Sequence, residues 1–81
     1  MSVAEFAVEI KNYIINEWEH RDKVISVIIE PDDELLDNYK IVVTFDIEVR
    51  NRVELYEDLL HKIYDKFGDR LEIWDIILTY W

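Results

Sequence analysis

Val3, Phe6, Ala7, Ile10, Ile14 and Trp18 recur at the spacing of one helical face, while Glu9, Lys11, Asn12, Asn16 and Glu19 stay off it. Ser2, with Glu5 three residues on, forms a capping box ahead of that stripe. The pattern predicts a helix over about 3–20. Val24 to Ile29 is β-branched and apolar apart from Ser26, too short for a second helix and stopped by Pro31, so it predicts a strand. Residues 31–38 read as an acidic loop, with Leu35 and Leu36 folding back onto the body. From Tyr39 to Val49, apolar residues at odd positions alternate with Lys40, Val42, Thr44, Asp46 and Glu48, as in a strand with one buried and one wet face. Val53, Tyr56, Leu59, Leu60, Ile63, Tyr64 and Phe67 make a second helical stripe over about 52–67. Asn51 is its expected N-cap, Asp58 and Lys62 an expected i,i+4 pair, and Gly68 the expected left-handed residue past its end. Leu71 to Trp81 is apolar on both sides and predicts a last strand buried on both faces.

The predicted fold class is α+β, in the order α-β-β-α-β, with a three-stranded mixed sheet and two helices packed on one face. The first two strands form a long-looped hairpin. The second helix is a crossover that makes strand three parallel to strand two. The other sheet face would carry Lys40, Thr44, Asp46 and Glu48, together with one apolar row of the last strand. Soluble monomers rarely expose such a row. The expected remedy is a homodimer through the third strand and the sheet face, with Trp74, Ile76, Leu78, Tyr80 and Trp81 as the contact residues.

Composition narrows the function. The chain has 81 residues, enough for one domain, and a formal net charge of -10 from 9 basic and 19 acidic residues. A core this small supplies about 3–5 kcal/mol, which also favours oligomerisation. With no Cys there is no disulfide, thiolate zinc site or cysteine nucleophile. A single Gly excludes the glycine-rich dinucleotide and phosphate-binding loops. The charge opposes direct nucleic-acid binding and docking on anionic membranes, and points to a basic protein as the alternative partner. No basic region followed by an apolar core opens the chain, so a cytoplasmic location is expected. The absence of Gln and the abundance of Ile and Glu fit a thermophilic source.

Some residues have the right chemistry for a site. Asp46 and Glu48, two apart on a strand, would present both carboxylates on one face, as for Mg²⁺ binding or acid–base work. Asp75, inside an apolar strand, would need a partner such as Arg50, Arg52, Arg70 or a hydroxyl. Glu57, His61 and Asp65 follow one helical ridge that could ligate a divalent cation, although zinc usually takes more nitrogen or sulfur. A solvated strand face is the favoured reading of Asp46 and Glu48, a charged outer helix face that of the ridge, and a strand-edge ion pair that of Asp75. His20 suits a helix C-terminus. Ser2 and Ser26 have no base nearby in sequence, so no Ser-His-Asp hydrolase is supported. No catalytic residue and no cofactor is assigned.

The element order resembles the minimal nucleotidyltransferase domains of the polymerase-beta superfold. There a strand ends in Gly-Ser, the next opens with Asp-x-Asp and a third carries a further Asp, the three acids holding Mg²⁺. In the segment Leu-Asp-Asn-Tyr-Lys-Ile-Val-Val, Asp37 would match the first acid and Tyr39 stands in place of the second. Asp75 would match the third, and Ile29-Glu30-Pro31 replaces the Gly-Ser turn. The resemblance therefore implies a catalytically dead relative that keeps the fold and binds a partner. The order is also similar to the cytoplasmic domain of cation-diffusion transporters, which dimerises around metal ions. The functional expectation is a small acidic, non-catalytic interaction or regulatory domain acting as a homodimer. One alternative is a divalent-metal-dependent enzyme or metal-binding domain using Asp37, Asp46, Glu48, Asp75 or His61. Another is an acidic nucleic-acid mimic that inhibits a DNA- or RNA-binding protein, suggested by the charge and the Asp32-Asp33-Glu34 run.

Overall fold

A computed structural model describes residues 2–32 and 38–81. Helix α1 (Val3–Asn16) leads through a short 3-10 turn (Arg21–Lys23) into strand β1 (Val24–Pro31). Strand β2 (Tyr39–Phe45), helix α2 (Val49–Phe67), a second 3-10 turn (Leu71–Asp75) and strand β3 (Ile76–Tyr80) follow. The sheet order is β1-β2-β3, with β1 antiparallel and β3 parallel to β2. This is the expected α+β fold. Among the described residues, no helix is long and apolar enough to cross a membrane.

The Ser2 hydroxyl accepts from the Glu5 N–H at 3.2 Å, so the predicted cap starts α1. The helix ends four residues earlier than its apolar stripe predicts. The amides of Glu17 and Trp18 both converge on the Tyr13 carbonyl, at 2.9 and 3.0 Å, and the chain turns there. The Trp18 carbonyl in turn accepts from the Arg21 backbone N–H and from its guanidinium. Trp18 is still buried, so the stripe marked the core contact correctly and the helix length wrongly.

β2 is shorter than its alternation predicts. The Asp46 amide donates to the Lys23 carbonyl at 2.8 Å, the chain then leaves the sheet, and α2 begins at Val49 with Glu48 as the residue before it. Asn51, the predicted cap, is therefore inside the first turn. Gly68 is not left-handed. Its φ is -65°, and glycine is needed there because a Cβ would collide with the Tyr64 carbonyl oxygen. The last expected strand is half 3-10 turn, and Ile76–Tyr80, continued by the Trp81 backbone, pairs with β2.

Register sets the two faces of the sheet. Val27 and Ile29 stand beside Val43 and Ile41, which in turn stand beside Tyr80 and Leu78. This face meets Phe6, Ile10 and Ile14 of α1 and Leu59, Ile63 and Phe67 of α2 in one core. Aromatic edges lock it: Phe67 meets Phe6 edge-on at 5.7 Å and Tyr13 at 6.0 Å. Both helices thus lie on one side of the sheet, as predicted.

Candidate interaction surfaces

The face away from the helices carries Ser26, Ile28 and Glu30 from β1, Lys40, Val42 and Thr44 from β2, and Ile77 and Thr79 from β3, because side chains alternate along each strand. Val42 is only 6% exposed yet lies outside the main core. It is screened by its cross-strand neighbours Ile28 and Thr79. Ile28 is itself 51% exposed. A register shift between Val24 and Ser26 leaves Ile25 as the extra residue of a bulge, also exposed. Trp81, at the end of β3, bonds Val43 and Phe45 through its backbone and remains 70% exposed.

The last strand divides differently from the expectation. Ile76, Leu78 and Tyr80 pack against the core from the helix side, so they do not belong to the open face. Tyr80 stacks at 4.6 Å on Tyr56, and its ring lies 6.2 Å from Phe45. The reason is parity: Leu78 is the partner of Ile41, which faces the helices. Trp74 is off the sheet, in the 3-10 turn, and 79% exposed.

A second surface lies between α2 and β3. Ile10 and Ile63 line an apolar cleft of about 260 Å³ there. Its α2 wall is Tyr56, Leu60 and Tyr64, and its other wall is Ile73, Ile76 and Leu78. The Tyr56 hydroxyl donates to the Leu78 carbonyl at 2.7 Å across it. Burial pushes the Tyr56 phenol above its ordinary value, and nearby Tyr64 and Tyr80 push the same way. Beside the cleft, Glu57, Leu60, His61 and Tyr64 frame a second depression on the outer surface of α2.

The acidic candidates are scattered. Asp46 and Glu48 lie in the connection between β2 and α2, so strand alternation does not align them. Asp46 is exposed, and Glu48 pairs with Arg50 at 3.1 Å. Asp75 ends the 3-10 turn instead of sitting inside a strand. None of the three arginines expected as its partner pairs with it: Arg50 takes Glu48, Arg52 donates to the Ile47 carbonyl, and Arg70 pairs with Glu9 and Glu72. Glu72 is held below the usual carboxylate range first by a bond from its own backbone amide, and also by Arg70. Asp58 turns its carboxylate to Trp18 and makes no ion pair with Lys62. His61 is exposed on α2, and His20 meets Glu19 at 3.0 Å. Asp37 lies outside the described residues, as do Leu35 and Leu36. Among the described residues, no three His, Cys, Asp or Glu side chains gather as a metal site would need.

Of the positions that carry the nucleotidyltransferase resemblance, Ile29-Glu30-Pro31 closes β1, Tyr39 opens β2 and Asp75 precedes β3 instead of lying in it, while Asp37 lies outside the described residues. No family model matches the chain, and neither a curated protein nor a solved structure gives a significant match.

Sequence reasoning missed Ile28 and Val42 as surface-forming residues. The signal was present, because Ser26, Ile28 and Glu30 must oppose Val27 and Ile29. It also misses the cleft, since helical spacing places Leu60 and Tyr64 on the same apolar stripe of α2 as the core residues.

Proposed function

We propose that the protein is a non-catalytic interaction domain that works as a homodimer through its uncovered sheet face. The observation that carries this reading is the exposure of Ile28 and Ile77, on either side of the already buried Val42, on the face opposite both helices. Burying those side chains against a second copy contributes about 25 cal/mol per Å² of apolar surface removed from water. The patch is also self-complementary in charge. Glu30 and Lys40 are cross-strand neighbours at one edge of it, so a two-fold axis through the face can set each acid against the other copy's lysine. The scattered placement of Asp46, Glu48, Asp75 and His61 supports binding over chemistry at these residues.

Light scattering after size exclusion tests the reading. A dimer is expected, with Ile28→Glu shifting it to a folded monomer that keeps its circular dichroism spectrum. Ile28 is more than half exposed, so this substitution leaves the core intact. A monomeric unsubstituted protein at about 100 μM, far above the Kd of a stable homodimer, overturns the proposal.

A further inference from the structure

The cleft between α2 and β3 lies on the helix side of the sheet and is independent of the sheet-face contact. Three features define what fits it. The first is its size. About 260 Å³ is below the roughly 300–1,000 Å³ of clefts that enclose a drug-sized ligand, and suits inserted side chains instead.

The second is its edge. Trp81 bonds β2 through both its N–H and its C=O. In a parallel ladder the alternate residues Ile77 and Thr79 do the same, which turns the N–H and C=O of Leu78 outward. The Tyr56 hydroxyl already occupies that Leu78 carbonyl. An added strand would have to displace Tyr56, whereas a helix laid along the groove needs no backbone bonds.

The third is charge. Along the flank of α2 beside the cleft, Glu57 precedes Leu60, His61 and Tyr64 at i, i+3, i+4 and i+7, and Asp65 follows. On the other flank, Lys66 lies 5.4 Å from the Tyr13 ring and pairs with Glu17, just past the end of α1. Among the described residues, Glu57, Asp65 and Asp75 take part in no ion pair. Glu57 thus stands beside Leu60 and Tyr64, which also line the apolar groove, and Asp75 adjoins Ile76 of the opposite wall in sequence.

We infer that this groove binds a cationic amphipathic helix of another protein, with apolar side chains inserted between Leu60, Tyr64, Ile76 and Leu78 and basic side chains set against Glu57 and Asp75. The charge complementarity speeds encounter and fixes register, and the inserted side chains supply most of the affinity.

The test is a nuclear magnetic resonance titration of the full chain with a synthetic leucine–lysine peptide whose leucines fall at i, i+3, i+4 and i+7. A peptide of the same composition in scrambled order and a leucine–glutamate peptide serve as controls. Saturable shifts confined to Leu60, Tyr64, Ile73, Ile76 and Leu78 are expected with the amphipathic cationic peptide alone. Binding is expected to weaken by on the order of tenfold in Glu57→Lys and in Tyr64→Ala, both exposed positions on α2. It is also expected to weaken between about 50 and 200 mM salt. The Ile28→Glu variant is expected to bind the peptide as the unsubstituted chain does, which separates this inference from the homodimer. Equal binding of the scrambled peptide, shifts spread over the other acidic faces, indifference to both α2 substitutions, or no binding at all would each overturn it.

Discussion

The indole Nε1 of Trp18 donates to the Asp58 carboxylate at 2.9 Å, joining residues 40 apart in sequence. Trp18 is buried just past α1, and Asp58 projects from the middle of α2. Phe45 of β2 lies against the same indole, with ring centroids 6.0 Å apart. One side chain therefore ties both helices to the central strand. Removing the acceptor leaves a buried N–H with no partner, so Asp58→Ala is expected to cost about 1–3 kcal/mol. Asp58→Asn keeps an acceptor and is expected to cost less. Urea unfolding of both variants and of Trp18→Phe, combined as a double-mutant cycle, measures the coupling directly. A coupling near zero would mean that packing on Phe45 alone places the indole.

Gly68 follows α2 with ordinary right-handed dihedrals, so the common argument for glycine at a helix end does not apply. The close approach of the Tyr64 carbonyl does. Gly68→Ala must push that backbone aside and is expected to lose about 0.5–3 kcal/mol, as substitutions at special backbone positions do. Gly68→Asn separates the two explanations. A left-handed site accepts Asn readily, whereas this crowded right-handed site is expected to reject Asn as it rejects Ala. Thermal melts of the three proteins decide between them.

Much of the fold was legible because periodicity reports burial. Phe6, Ile10 and Ile14, and likewise Leu59, Ile63 and Phe67, were marked by helical spacing and all lie in the core. The alternation from Tyr39 to Phe45 gave the correct inward face of β2. What failed was the position of element ends. Ile47 and Val49 continue an alternating pattern, yet the chain turns after Asp46, whose amide makes the last bond across to the β1 side, at the Lys23 carbonyl. In Leu71–Trp81 the apolar residues predict a strand with two buried faces, while the first five form a 3-10 turn that leaves Leu71 and Trp74 exposed. An unbroken apolar run carries no period, so it cannot distinguish these outcomes. The surfaces were harder to read for the same reason. Whether Leu78 or Ile77 faces the helices depends on its register with Ile41, a relation between strands that no single segment encodes.

Tyr56 makes a pH prediction. Its phenol is raised above the ordinary value of 10.0, chiefly by burial and then by Tyr64 and Tyr80, while in the unfolded chain it returns to that value. The folded state therefore holds the proton more tightly than the unfolded state. Its contribution to stability is complete below pH 10 and is lost as pH rises through the higher folded value. Stability is expected to fall in that alkaline window, and Tyr56→Phe is expected to flatten the fall. At neutral pH the same variant forfeits the bond to the Leu78 carbonyl, at a cost of about 0.5–1.5 kcal/mol. Absorbance near 295 nm follows the phenolate directly, and a Tyr56 that titrates with the exposed tyrosines would contradict the assignment.

The described residues proposed from sequence as metal ligands stand in separate places: Asp46 and Glu48 before α2, Asp75 before β3 and His61 on the outer side of α2. A divalent ion needs several oxygen or nitrogen ligands at once, and no three such side chains converge among the described residues. Millimolar Mg²⁺, Mn²⁺ or Zn²⁺ is therefore expected to leave Tm unchanged. The alternative is easy to detect. Metal at a hundred times its Kd would add about 2.7 kcal/mol. In a domain of this size each kcal/mol moves Tm by about 4–8 °C. A rise of that scale, abolished by Asp46→Asn or Asp75→Asn, would favour a metal-dependent protein over the interaction domain. A rise abolished by Asp37→Asn instead would place the ligands at the entry to β2, where the resemblance to nucleotidyltransferases predicts them.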